Sequence, residues 1–185
     1  ESVRAQDDPR WRLLVRDDSG GSDEAEALVR GFDDARIEYA RNERNLGMVP
    51  SWNRCLDAAR SPLVCLLHGD DRLEPGYLRT MAALAEAHPE AVAVFCGARI
   101  VDERGRARFS LADAVKPLFM PRGEPMRLCG EPALRRVMAG NFIMCPTLCF
   151  RRERLGERRF APAWRQAQDL ELTSRLLLEG ETLVG

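Results

Sequence analysis

The sequence predicts a doubly wound α/β domain, on three observations. Short apolar runs alternate with amphipathic helical stretches from Trp11 to Val101, and each run ends in a polar turn. The two most acidic of those turns, Asp17-Asp18 and His68-Gly69-Asp70-Asp71, both follow apolar runs. In such a sheet the carboxyl ends of parallel strands form the crevice where ligands bind, so carboxylates there can reach a nucleotide and a divalent cation. The pattern points toward nucleotide-handling enzymes.

Taken in order, Trp11 to Arg16 reads as a short strand followed by the turn-formers Asp17 to Ser22. Ser22 then serves as N-cap for a helix with Ala25, Leu28, Val29 and Phe32 on one stripe. Arg36 to Ala40 is a second strand, Asn42 to Gly47 a polar loop, and Val49 to Arg60 a helix whose Trp52, Cys55, Leu56 and Ala59 share a face. Pro62 to Leu67 is nearly all apolar, as expected of a parallel strand covered on both sides. Pro75 opens a helix carrying Leu78, Met81, Leu84 and Ala85 that ends near His88-Pro89, and Val92 to Val101 makes another strand.

Beyond Asp102 the order weakens. Asp102 to Gly105 is a turn, and Ser110 to Arg127 is a Pro-containing stretch without a clear period, expected to be a mobile loop. Pro132 to Met138 reads as a helix, Pro146 to Arg151 as a strand, and Gln168 to Glu179 as a helix with Leu172, Leu176 and Leu177 inward. No internal repeat is visible.

A chain of 185 residues is one domain of ordinary size, and no stretch approaches the ~20 apolar residues of a membrane span. Acidic and basic residues balance, 29 against 28, which argues against a basic field for nucleic acid. The six cysteines have neither zinc-site nor disulfide-framework spacing and read as buried thiols in a reducing compartment. The chain opens at Glu1-Ser2-Val3, inside what reads as the end of a helix, and stops at Gly185 just after Thr182-Leu183-Val184. Both ends are therefore expected to lie within a longer protein.

Together the motifs resemble family 2 glycosyltransferases, the inverting nucleotide-sugar enzymes of the GT-A fold. They are, in order, Asp17-Asp18-Ser19 with Gly20 and Ser22; Arg41-Asn42 and Asn45-Leu46-Gly47; Trp52-Asn53-Arg54 with Ala58-Ala59; His68-Gly69-Asp70-Asp71; Pro75 with Tyr77-Leu78; Arg151-Arg152; and Gln168-Asp169-Leu170-Glu171-Leu172. The resemblance implies a Rossmann-like GT-A domain with a mostly parallel central sheet flanked by helices. Residues 1–102 would be the nucleotide-binding half and 103–185 the acceptor-side half. Three departures stand out: His68 holds the first place of the family's Asp-x-Asp-Asp, Gln168 replaces the Glu of its Glu-Asp pair, and its first strand would precede Glu1.

By resemblance Asp70 contacts Mn²⁺ or Mg²⁺, a hard cation that bridges the donor's two phosphates. Asp17 and Asp18 resemble the pair that grips the base and ribose, and Asn45, Arg54 and His68 lie on the nucleotide side. Asp169 matches the base that deprotonates the acceptor hydroxyl during a single in-line displacement. Asp71, Trp164 and Gln168 fall on the acceptor side. On the residues alone simpler roles are open: Asp70-Asp71 as a turn, Asp17-Asp18 as a helix cap, Asp169 as an acidic helix start, His68 and Trp164 as structural residues, Arg54 as a solvated helix residue.

The partners the resemblance implies are a UDP-linked nucleotide-diphospho-sugar and a glycan or lipid-linked acceptor, in a bacterial, cytoplasmic setting of polysaccharide biosynthesis. The basic run Arg151 to Arg159 offers a contact with anionic lipid at the inner membrane surface, although its interspersed glutamates equally describe a solvated face. Rival readings are a sugar nucleotidyltransferase, a non-catalytic remnant, and a phosphorylation-controlled receiver. The last requires a Lys at the end of a late strand, and the only Lys, Lys116, lies in the irregular stretch.

Overall fold

The computed structural model describes residues 1–21, 23–108, 125–164 and 166–185. Strand β1 (Leu13–Asp17) leads through α1 (Glu24–Arg30) to β2 (Ile37–Arg41), and α2 (Met48–Ala58) leads to β3 (Leu63–Cys65). Helix α3 (Tyr77–Ala87) precedes β4 (Ala91–Val94). Next come β5 (Arg127–Cys129), α4 (Gly130–Gly140), a short 3-10 turn at Cys145–Thr147, β6 (Cys149–Arg151), α5 (Arg152–Leu155), α6 (Gln168–Leu178) and β7 (Thr182–Val184).

The strands form two sheets. β1 and β2 pair in parallel, while the larger sheet has the order β3-β6-β4-β7-β5. In it β4 and β7 are parallel, and β6 runs antiparallel between β3 and β4. The α/β class holds, with ladders of mixed sense. β3 is not the covered parallel strand its composition suggests: it lies at a sheet edge, half-buried, with Val64 opposite Phe150. The free edges of β1 and β3 line one cavity of about 1160 Å³.

The core is where the expected periodicities place it. Val92 to Phe95 of the β4 region, Val137 of α4, Phe150 of β6, Leu183 of β7 and the Leu172, Leu176 and Leu177 stripe of α6 are all buried. Each buried Val, Leu or Phe side chain among these contributes roughly 1.5–3 kcal/mol by leaving water. The stripe works because residues three or four apart share one helical face. α4 ends at Asn141 in the left-handed region, φ 37°, a helix terminus that Asn tolerates better than most residues.

Several boundaries differ from expectation. β4 stops at Val94, because the chain leaves the ladder after Phe95 donates its N–H to the Val184 carbonyl; Val101 makes only an isolated bridge to Ala107. Arg127 belongs to a strand because it pairs opposite Val184, whereas 110–124 of the expected loop, Lys116 and the expected cap Ser22 lie outside the described residues. The cysteines are free, but burial is uneven: Cys145 and Cys149 are buried and Cys129 is exposed. The expected helix end at the start of the chain is a single turn, Ala5 N–H to the Glu1 carbonyl. Gln6 ties that turn to α3, donating to the Glu74 carbonyl and accepting from Leu78 N–H.

Candidate active site

The acidic turn begins three residues after β3. Its backbone closes through Asp71 N–H donating to the His68 carbonyl at 3.2 Å, and His68 Nδ1 stands 3.3 Å from Asp71 Oδ2. The imidazole lies flat on the Trp52 indole, ring centroids 4.7 Å apart and planes 9° from parallel. Its Nε2 is buried without a hydrogen-bond partner. Burial raises the Asp71 carboxyl above its ordinary value; the facing His68 opposes that rise and neighbouring Asp70 adds to it. One ligand atom from each of His68, Asp70 and Asp71 fits within 4.8 Å. A hard cation favours carboxylate oxygens, so the two aspartates suit Mn²⁺ or Mg²⁺ and the imidazole suits Mn²⁺ better.

Asp169 reaches this turn from about a hundred residues away in sequence. It stands in the first turn of α6, where the aligned peptide dipoles favour a negative charge, and its Oδ1 accepts the Leu170 N–H at 2.9 Å. His68, Asp70, Asp71, Asn141, Cys145 and Asp169 line one cavity of about 330 Å³. The Cys145 thiol is pushed up to about 12, first by burial and then by the carboxylates of Asp169 and Asp71. Asn141 and Cys145 were not among the expected site residues. Gly140-Asn141 is a recognisable helix-stop signal, but nothing in sequence says that this stop faces a carboxylate cluster.

The other expected nucleotide-side residues assemble around one loop. Asp18 accepts Asn42 Nδ2 at 2.9 Å, Leu46 N–H at 2.8 Å and Gly47 N–H at 2.9 Å. Gly47, at φ 84°, presents that N–H from a backbone conformation other residues rarely adopt. Asn45 Nδ2 donates to the Asp18 carbonyl at 2.8 Å, and Arg54 donates to Asn42 Oδ1 at 3.1 Å. Asp17 accepts the Tyr39 hydroxyl at 2.5 Å and Ser19 N–H at 2.8 Å, with Arg41 Nε 3.5 Å away. The Tyr39 and Ser19 bonds hold its carboxyl below the ordinary value. The Asp18 carboxylate therefore shapes the 42–47 loop, that of Asp17 braces its own turn against β2, and Asp18 also lines the larger cavity beside His68, Asp70 and Asp71. A carboxylate offers about four acceptor positions, so such bonding leaves capacity for a ligand.

Gln168 is buried next to Asp169, whereas Trp164 is 53% exposed and lines neither cavity. The basic run is largely paired internally. Arg151 donates to the Ala85 carbonyl, Arg154 faces Glu181, Arg158 bridges Glu179 and Glu181, and Arg159 meets Asp57. No helix among the described residues is long and apolar enough to cross a membrane.

Comparison with solved structures shows the same fold elsewhere. TarS residues 1–349 of S. aureus in complex with UDP superposes with TM-score 0.74 at 18% identity, over 99% of this chain and 51% of that one. A mannosyltransferase of Pyrobaculum calidifontis, in complex with GDP-Man and Mn²⁺, gives 0.65 at 17% identity, over 98% and 48%. At such identities the likeness concerns the fold, that of GT-A glycosyltransferases. In sequence, protein MT1568 of Mycobacterium tuberculosis is 36% identical over 44% of this chain and 25% of its own length. Glycosyltransferase MJ1057 of Methanocaldococcus jannaschii is 27% identical over 57% and 37%. The chain thus spans about half, or less, of the proteins it matches. The model of glycosyl transferase family 2 matches residues 1–157, and with the carboxylate site inside this fold the chain belongs to that family.

Proposed function

We propose that this chain carries the donor site and catalytic carboxylates of an inverting glycosyltransferase, which moves a sugar from a nucleotide diphosphate, UDP-linked, to a hydroxyl of a glycan or lipid-linked acceptor. The observation that carries the reading is that Asp169 and the Asp70 turn line one small cavity although they belong to distant parts of the chain. Inversion needs one base on the acceptor side and charge stabilisation on the diphosphate side, and the cavity has a carboxylate for each.

In this reading Asp169 accepts the proton of the acceptor hydroxyl as it attacks the anomeric carbon, and the nucleoside diphosphate departs on the opposite face. Asp70, with Asp71 or His68 beside it, would hold Mn²⁺ or Mg²⁺, which when bound offsets charge on the leaving diphosphate. The larger cavity, lined by Asp18, takes the nucleoside, with Asp17 bracing the adjoining turn against Tyr39 and Arg41. Asp71 and Gln168 steady the acceptor side, and Trp164 offers an exposed ring to a sugar. Residues 1–102 would then supply most of the donor site and 103–185 the acceptor side. Support comes from the neighbours of the same fold, TarS in complex with UDP and the Pyrobaculum calidifontis mannosyltransferase in complex with GDP-Man and Mn²⁺. A bacterial cytoplasmic setting in polysaccharide biosynthesis, with peripheral contact at the inner membrane surface, belongs to the same proposal and rests on the resemblance.

The test is a panel of nucleotide sugars titrated against the full-length protein with and without Mn²⁺. Metal-dependent binding of one donor is the expected result. No metal-dependent binding to any donor would overturn the proposal.

A further inference from the structure

The two catalytic halves are joined by a contact that the reaction itself does not explain. Asn53 of α2 gives both ends of its amide to the backbone of one residue far along the chain: Nδ2 donates to the Phe160 carbonyl at 2.9 Å, and Oδ1 accepts the Phe160 N–H at 3.0 Å. A side chain thereby imitates a neighbouring strand, and only one orientation of the amide satisfies both bonds. The preceding residue, Trp52, lies flat on His68 and meets the Phe160 ring edge-on at 5.3 Å. Phe160 is itself 1% exposed and packs against Phe150 of β6.

The same short segment is held from the other side. Arg175 of α6 donates to the Arg159 carbonyl at 2.6 Å, while the Arg159 guanidinium returns to Asp57 of α2 at 2.7 Å. Residues 159 and 160 are therefore bracketed between the helix that supports His68 and the helix that carries Asp169 in its first turn. Between Phe160 and α6 the backbone has little regular support among the described residues, one turn bond from Trp164 N–H to the Ala161 carbonyl.

We infer that Asn53, with Trp52, is a positioning residue that fixes the spacing between the His68–Asp71 turn and Asp169 through Phe160; as a statement about catalysis this rests on the function proposed above. Misplacing a reacting group by an ångström costs on the order of 100-fold in rate, so a tether of this kind matters without touching substrate.

The experiment compares the full-length protein with its Asn53→Ala variant by hydrogen exchange, by UDP binding in Mn²⁺ and by transfer kinetics. Exchange across 159–170 should rise about tenfold or more while α3 and β4 stay at wild-type rates, because only the local opening is made easier. UDP affinity should stay within about threefold and the donor KM should hold, while kcat falls roughly 30- to 100-fold. Wild-type exchange across 159–170, or binding and turnover lost in equal measure, would overturn the inference. Should Asn53→Ala fail to fold, Asp57→Asn on the exposed part of the bracket should show the same pattern at about threefold amplitude, and wild-type behaviour there would also overturn it. If the wild-type protein binds no nucleotide, the proposed function fails, and the exchange data still decide whether Asn53 ties the two segments.

Discussion

Replacing Asp18 by Asn changes one atom and tests how much of the 42–47 loop this carboxylate builds. Its Oδ1 accepts Asn42 Nδ2 and Leu46 N–H, and its Oδ2 accepts Gly47 N–H. An amide oriented to keep the first two bonds turns its NH₂ toward Gly47 N–H, donor against donor. Hydrogen bonds to a charged partner contribute about 1.5–3 kcal/mol each, against ~1 kcal/mol for neutral ones. One such bond is lost and two are weakened, but Leu46 and Gly47 are only half-buried, so water compensates part of the loss. The net expectation is ~2 kcal/mol, equivalent to a fall of roughly 4–8 °C in Tm for a domain of this size. Thermal and urea denaturation measure it, with hydrogen exchange at Leu46 and Gly47 locating the change. An Asp18→Asn protein with wild-type Tm and wild-type exchange at those amides would refute the reasoning and leave Asp18 a residue that serves ligand alone.

Other outcomes follow from the same structure. Asp169→Asn should lower transfer by at least ~10²- to 10⁴-fold, the usual worth of a general base, while donor binding persists in titration; loss of binding with it would make Asp169 structural. Leu176→Ala, at a fully buried point of α6, should cost ~2–5 kcal/mol in urea denaturation. Asp34 sits at about 2 because the Arg36 side chain and N–H both bind its carboxylate. Its folded value lies below its unfolded one, so its stabilisation is present above about pH 4 and disappears as the pH falls toward 2. Asp34→Asn should accordingly flatten that part of the acid-stability curve. Iodoacetamide at neutral pH should label exposed Cys129 well before buried Cys145, whose thiol is held up to about 12; peptide mapping gives the order.

The helices were legible in the sequence because a buried stripe leaves a period: Leu172, Leu176 and Leu177 marked both the helix and its inward face. Strand partnership was not. The run Pro62 to Leu67 says that a strand is apolar, but its antiparallel neighbour β6 arrives about eighty residues later, and local pattern has no means of recording that pairing. The carboxylates were legible as candidates through their order along the chain. Their partners were not, since Asp18 meets Leu46 and Gly47 through backbone N–H groups that every residue except proline carries. Asn141 and Cys145 escaped for a similar reason: each has an ordinary local explanation, and only the folded chain sets them beside Asp169.

The division of the strands into two sheets bears on how the molecule comes apart. Among the described residues no β-ladder joins β1-β2 to the larger sheet, so the two are coupled through side chains and helix packing rather than through a shared hydrogen-bond network. Cooperativity in small domains comes from elements that cannot open singly, and a sheet edge without a ladder removes one such constraint. The β1-α1-β2 unit, with the Asp18 loop attached, is thus a natural foldon, able to open at a lower free energy than the leucine-lined core beneath α6. A nucleoside held against it would report its greatest protection there, in the part of the fold with the most order to gain.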